Sequence, residues 1–432
     1  MTDIRPDGVR TVHLGAFYPN DHHHTLWGHP QAGSQIEFGA FEQFARSAER
    51  GLFDFVFLAE ANWLQEHRDR VIEHAILDKP DSLTLLAALA AETSRIGLVA
   101  TIGTTFADAF HVARQFAALQ RVSNGRAGWN VVTSHTSFGQ GATTNFRPGR
   151  LGRHEDRYTD AERFVQDVLS YWDPARTIGS APFAVPDERP VIVQAGGSEA
   201  GRDLAGRYAD AVFAGRRSIE LSREFADDIR GRSRSYGNPE ALILPSTAFV
   251  LGDTEAEAQE RQREWRDLEM TPKVAAFLLE EVWGGDLSDF DVDGPLPSFD
   301  PDWDHAYAYT RGMVGGERDA RTLVAGWRHL AETEHLSVRQ LLSTVRARRD
   351  FVGTGRSVAL QINEWVQAGA ADGFVVNPSV VPSGLDDFVD AVVPELQELG
   401  VFRTEYTGNS LRDHLTQTVQ GRTAHGSAGA GA

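Results

Sequence analysis

At 432 residues the chain is well past the ~150 of an ordinary domain, which leaves two or three small domains or one large enzyme barrel. A composition of 41% apolar and 24% charged residues excludes collagen-like and disordered classes. The formal charge of −19 repels phosphodiester backbones and anionic lipid, arguing against nucleic-acid and membrane partners. Zero cysteines remove disulfides, thiolate metal sites and cysteine nucleophiles together. The start, Met1 to Pro6, lacks the apolar core of an export signal, and no apolar run approaches the ~20 residues that span a bilayer, so a cytoplasmic enzyme is expected.

Short Val-, Ile- and Phe-rich runs predict strands over 12–17, 53–58, 96–102, 126–134, 190–195, 210–214, 242–251 and 373–377. Helical periods fall between them at 41–50, 82–93, 109–120, 156–172, 199–208, 219–236 and 254–268. Eight strands alternating with helices predict an α/β protein, a TIM (β/α)8 barrel with insertions, forming one domain over 1–420. The main insertion, 271–352, falls between strands seven and eight. Its apolar pattern is broken, 284–297 reads as extended loop, and Trp283, Trp303, His305, Tyr307 and Tyr309 could either line a pocket or form a small core of its own. It is expected to act as a lid over the substrate region. Residues 421–432, small and polar, read as a disordered tail.

In such a barrel the carboxyl ends of the strands carry the chemistry. Gly196-Gly197-Ser198 follows a strand and opens a helix, aiming several backbone N–H groups and one hydroxyl at a single point, which suits an anion such as a phosphate. An ordinary turn has the same sequence. His154 and Tyr158, four apart, share a helix face flanked by Arg147, Arg150 and Arg153, and they could form a second wall for an anion or be a surface histidine and a buried tyrosine. His22-His23-His24 stands just beyond the first strand. His24 is a candidate proton donor to oxygen or substrate, with a metal site and a plain polar cluster as the rival readings. The ends of strands four to six offer no histidine or lysine to complete a metal shell, so no metal is expected. Aromatic walls could come from Trp27, Phe57, Trp63, Phe106, Trp129 and Phe249. No Gly-x-Gly-x-x-Gly unit opens a strand-turn-helix, so direct nicotinamide binding is not indicated.

The run Ser123 to Ser134, then Asn145-Phe146, then His154 to Tyr158, resembles the signature of the flavin-dependent monooxygenases grouped with nitrilotriacetate monooxygenase component A and dibenzothiophene sulfone monooxygenase, within the bacterial luciferase-like superfamily. Phe53 to Ala59, Arg189 to Arg202, Ala371 to Phe374, Val393 to Leu396 and Ser410 to Leu415 extend the resemblance over nearly the whole chain. It implies a two-component enzyme: a separate NAD(P)H:flavin reductase supplies reduced FMN, and this chain uses it with O2 to oxygenate a small molecule through a flavin C4a-hydroperoxide. It implies contacts to the flavin ring or its surroundings from Thr104, Asn130 and position 60, and to the phosphate and ribityl end from His154, Tyr158, Gly197 and Ser198. It also implies a homodimer or homotetramer. The sequence departs from the family at Glu60, where aspartate is usual, and in a shortened segment between Trp172 and Pro190. The competing readings are a deazaflavin-dependent oxidoreductase on the same barrel and a metal-dependent barrel hydrolase.

Overall fold

The computed structural model describes residues 8–19, 25–59, 66–67, 70–71, 80–133, 154–175, 177–178, 181–182, 188–312, 319–346 and 350–417. Eight parallel strands form a closed barrel: β1 (His13–Tyr18), β2 (Phe55–Leu58), β3 (Gly97–Gly103), β4 (Ala127–Val132), β5 (Val191–Ala195), β6 (Ala211–Gly215), β7 (Leu242–Thr247) and β8 (Gly373–Val376). Each pairs with its neighbour in this order, and β8 closes on β1 in the register His13 to Gly373. These runs are apolar on both faces because one face fills the barrel and the other meets the helices.

The surrounding helices are α1 (Phe38–Arg50), α2 (Ser82–Glu92), α3 (Ala109–Val122), α4 (His154–Trp172), α5 (Glu199–Tyr208), α6 (Ile219–Ser235) and α7 (Glu255–Glu269). Most begin where a short polar side chain takes the first free N–H groups. Asp81 accepts from Thr84 N, Asp108 from His111 N, Ser198 from Gly201 N, Ser218 from Leu221 N and Thr254 from Glu257 N. The predicted starts therefore lie within three residues of the observed ones.

One expectation is corrected. The seventh strand does not run to 251. It stops at Thr247, and Phe249–Leu251 leaves the barrel to pair in parallel with Phe351–Gly353, starting from Phe249 opposite Phe351. Of the two readings of the insertion, a core of its own is the one seen: among the described residues four short helices occupy it, α8 (Pro272–Trp283), α9 (Trp303–Gly312), α10 (Ala320–Thr333) and α11 (Val338–Val345). They bury a core of their own, with Leu278, Leu279, Val282, Val324, Leu341 and Leu342 around stacked Trp283 and Trp327. Helix α12 (Gly355–Gln367) then leads back to β8, which is followed by α13 (Gly384–Ala391) and α14 (Val393–Glu398).

Helix α15 (Leu411–Thr416) closes the amino-terminal end of the barrel. Its Leu411 and Leu415 pack with Phe55, Val99, Val191 and Leu242 in the interior cluster. Beside this plug Asp54 is fully buried, pairing with Arg403, with His13 Nδ1 at 3.2 Å and with the Leu14 N–H at 2.7 Å. Burial by itself would raise the Asp54 pKa, but Arg403, His13 and His414 outweigh it and hold the carboxyl down at about 2. Arg412 reaches Asp210, which Arg189 also grips, tying α15 to the start of β6. Among the described residues no helix is long and apolar enough to cross a membrane.

Candidate active site

The pairing register sorts the inward side chains into rings. Stepping one residue higher per strand, as the tilt of such a barrel requires, places Phe57, Asn130, Phe213 and Val375 in one ring. Phe17, Thr101, Ala195 and Ser246 form the next, and Ala59, Val132, Gly215 and Asn377 the carboxyl rim. Phe17, Phe57 and Phe213 stack against one another with centroids 5.2–6.1 Å apart. They make an aromatic floor under the mouth. Phe213 is only partly buried, so this floor is open from above.

Asn130 stands in this ring opposite the rest of the apolar lining. Its Nδ2 donates to Thr101 Oγ1 at 3.0 Å, which fixes the amide, while the buried Oδ1 has no hydrogen-bond partner among the described residues. Thr104 is buried just past β3, its N–H donating to Val132 O at 3.0 Å. This bond ties the end of β3 to the end of β4 on one flank of the mouth.

On the same flank, β5 runs through Gly196 and Gly197 into Ser198, the N-cap of α5. Ser198 Oγ accepts from Gly201 N at 3.1 Å and donates to the phenol oxygen of Tyr158 at 2.9 Å. Tyr158 lies one turn into α4, so two helices from different barrel units converge on one point. The first-turn N–H groups of α5 have no acceptor within the helix, and Gly197 is exposed to solvent. The cradle is tight. A Cβ added at Gly201 would stand 3.1 Å from Ser198 Oγ and 3.2 Å from the Tyr158 oxygen, and one at Gly196 would stand 2.7 Å from Gln194 Nε2. Backbone this bare, beside two hydroxyls and a helix N-terminus, fits a phosphate monoester. The partnerless Asn130 oxygen, an acceptor facing the mouth, fits an N–H of a flat heteroaromatic ring.

Of the site residues read from sequence, the structure joins Tyr158 to Ser198 directly and sets Gly197 beside them. Thr104 lies just past β3, and Asn130 lies within the adjoining β4. His154 is the first residue of α4, but its side chain lies outside the described residues, as do Glu60, His24 and the arginines at 147, 150 and 153. Among the expected walls Phe57 faces the mouth. Trp129 does not: it points outward into the core between barrel and helices, its Nε1 donating to Ile102 O. Phe249 packs outside the barrel against Phe388, and Trp27 against the outer core; Trp63 lies outside the described residues. Trp283 is core within the insertion, and His305 donates to Glu281 O at 3.0 Å. Thr101, Phe17, Phe213 and Asn377 were missed. The alternation along each strand would have exposed the first three.

A barrel whose rim carries a phosphate-shaped cradle beside an aromatic floor has the build of a cofactor-dependent TIM-barrel enzyme. The family model of luciferase-like monooxygenases matches residues 15–372. The chain is 35% identical to N-acetyl-S-(2-succino)cysteine monooxygenase of Bacillus subtilis (strain 168), over 94% of this chain and 96% of that protein. It is 36% identical to nitrilotriacetate monooxygenase component A of Aminobacter aminovorans, over 94% of each. Among solved structures it matches riboflavin lyase with modified FMN and riboflavin at a TM-score of 0.73 and 25% identity, covering 94% of this chain and 96% of that one. The chain belongs to the luciferase-like monooxygenase family, and it is a flavin-dependent monooxygenase.

Proposed function

We propose that this chain is the oxygenase of a two-component system, receiving reduced FMN from a separate NAD(P)H:flavin reductase and using O2 to oxygenate a small organic substrate. The observation that carries the reading is the hydrogen bond between Ser198 and Tyr158 at the N-terminus of α5, on the rim of a barrel floored by Phe17, Phe57 and Phe213, which would suit the phosphate of FMN. Ser198, Tyr158, Gly197 and, by family position, His154 would hold the phosphate and ribityl end. Asn130, Thr104 and Glu60 would face the ring.

Reduced FMN, when bound, supplies the electrons that activate O2; the chain supplies position and dryness. Thr101 locks Asn130 so that only its oxygen is presented, an acceptor for a ring N–H that costs no reorganisation on binding. The three phenylalanines would keep water from the base of the mouth. The helical insertion, with its own core, is suited to cover the mouth as one body, and His24 stands in sequence where a proton donor to oxygen or substrate is wanted. Diffusible reduced flavin as electron source fits a cytoplasmic enzyme, and by family resemblance the chain would form a homodimer or homotetramer.

The test is the purified chain with a generic flavin reductase, NADH, FMN and 18O2, offered nitrilotriacetate, dibenzothiophene sulfone and N-acetyl-S-(2-succino)cysteine. Reduced-FMN-dependent incorporation of one labelled oxygen into a substrate is expected. Failure to bind FMN, or oxidation that proceeds without the reductase, overturns the reading.

A further inference from the structure

We infer that Asn377 is a specificity-determining residue on the substrate side of the mouth, binding a neutral substrate group that can give or take a hydrogen bond, such as a secondary amide or a hydroxyl. This deepens the flavin reading above and rests on it.

Three observations converge. Asn377 follows β8 directly, at an inward position by the parity of Val375. Its N–H is anchored to Thr247 O at 2.8 Å, its side chain is buried, and its Oδ1 has no hydrogen-bond partner among the described residues. A buried amide oxygen left unpartnered is costly, and a fold that keeps one has an acceptor to offer a ligand. Second, β8 lies across the barrel from β4, whereas the features fitting the cofactor (Thr104, Asn130, the Ser198 and Tyr158 cradle) sit on β3 to β5 and the helices after them. That leaves the β8 flank, beside the entry of the insertion between β7 and β8, for the second reactant. Third, the described inward side chains of the two upper rings and the rim carry no charge. A neutral amide is matched there by another neutral polar group better than by a carboxylate. The wall itself is rigid: Leu26 N donates to Ser379 O at 2.7 Å and Gly33 N to Val381 O at 2.7 Å.

The experiment compares wild type, Asn377→Leu and Asn377→Ser in the reductase-coupled assay. The probes are N-acetyl-S-(2-succino)cysteine, which carries a secondary amide, and nitrilotriacetate, which has neither amide nor hydroxyl. FMN affinity and melting temperature are measured alongside. The expected result is turnover of the amide probe by wild type. In Asn377→Leu its kcat/KM falls about tenfold to a hundredfold, mainly through KM, and Asn377→Ser recovers part of the loss with FMN affinity unchanged within twofold. No turnover of the amide probe, unchanged KM in Asn377→Leu, or a tenfold loss of FMN affinity overturns the assignment. Failure of the flavin reading is seen separately, as absence of FMN binding by wild type, and removes this inference with it.

Discussion

Gly201→Ala separates cofactor binding from folding. The residue is the third of α5 and its N–H is already spent on the Ser198 cap. Replacing glycine by alanine inside a helix contributes about 1 kcal/mol of stability. Against this, the new Cβ meets Ser198 Oγ at 3.1 Å, Gly196 Cα at 3.2 Å and the Tyr158 oxygen at 3.2 Å, contacts whose relief costs about 1 kcal/mol or a little more. The two effects nearly cancel, so the unfolding free energy should move by less than about 1 kcal/mol. Binding is different, because the methyl pushes apart the two hydroxyls that would grip the phosphate. Losing one hydrogen bond to a charged group is worth roughly 1.5–3 kcal/mol, so FMN affinity should fall by about tenfold to a hundredfold. Fluorescence titration of FMN, together with denaturant unfolding of the apoprotein, reads both. An affinity within twofold of wild type would refute the cradle; a parallel collapse of stability would show that the glycine serves folding.

Ser198→Ala and Tyr158→Phe, singly and together, should weaken FMN binding less than additively, with a coupling of about 1 kcal/mol from their shared hydrogen bond; strictly additive losses would mean the hydroxyls act apart. Glu281 is buried in the insertion, which raises its carboxyl to about 7 against the lowering pull of Arg346. A raised pKa favours the fold below the free value of 4.5 and withdraws that support as pH climbs through 7. Glu281→Gln should therefore unfold with less difference between pH 5 and pH 8 than wild type, which loses up to about 3 kcal/mol over that window; tryptophan fluorescence from Trp283 and Trp327 follows it, and equal pH dependence would contradict the burial. Asp54 runs the other way: with its carboxyl at about 2, its contribution is complete above the free value near 4 and disappears as pH falls from about 4 to 2. Asp54→Asn should lose several kcal/mol at neutral pH, because it strands the Arg403 charge, and its acid transition between pH 4 and 2 should be shallower than wild type when followed by circular dichroism.

Strand positions were readable because the strands are largely apolar on both faces, and many helix starts because they carry a capping signal such as Asp81, Asp108 or Ser218. The run 242–251 was over-extended because Phe249–Leu251 is as apolar as β7, and only its pairing with 351–353 shows that it has left the barrel. The insertion was opaque because its helices serve a second core, so no single period runs through it. At the candidate site, motif position singled out Asn130, which faces inward, and Tyr158 and Ser198, which are hydrogen-bonded to each other. It misplaced Trp129: neighbours on a strand face opposite ways, so an inward Asn130 sends Trp129 outward. Asn377 lacked any local signal, since its value depends on which strand stands across a closed ring.

The plug of α15 has a consequence for the order in which the protein can be completed. Leu411 and Leu415 lie beyond all eight strands in sequence, yet they fill the space between Phe55, Val99 and Val191, which come from β2, β3 and β5. A chain cut before Leu411 keeps every strand of the ring and exposes its base to water, together with an Asp210 that has lost Arg412. Assembly is therefore a clasp fastened late: until the final helix arrives, the base of the ring waits with an open apolar end, the kind of exposed surface that invites aggregation.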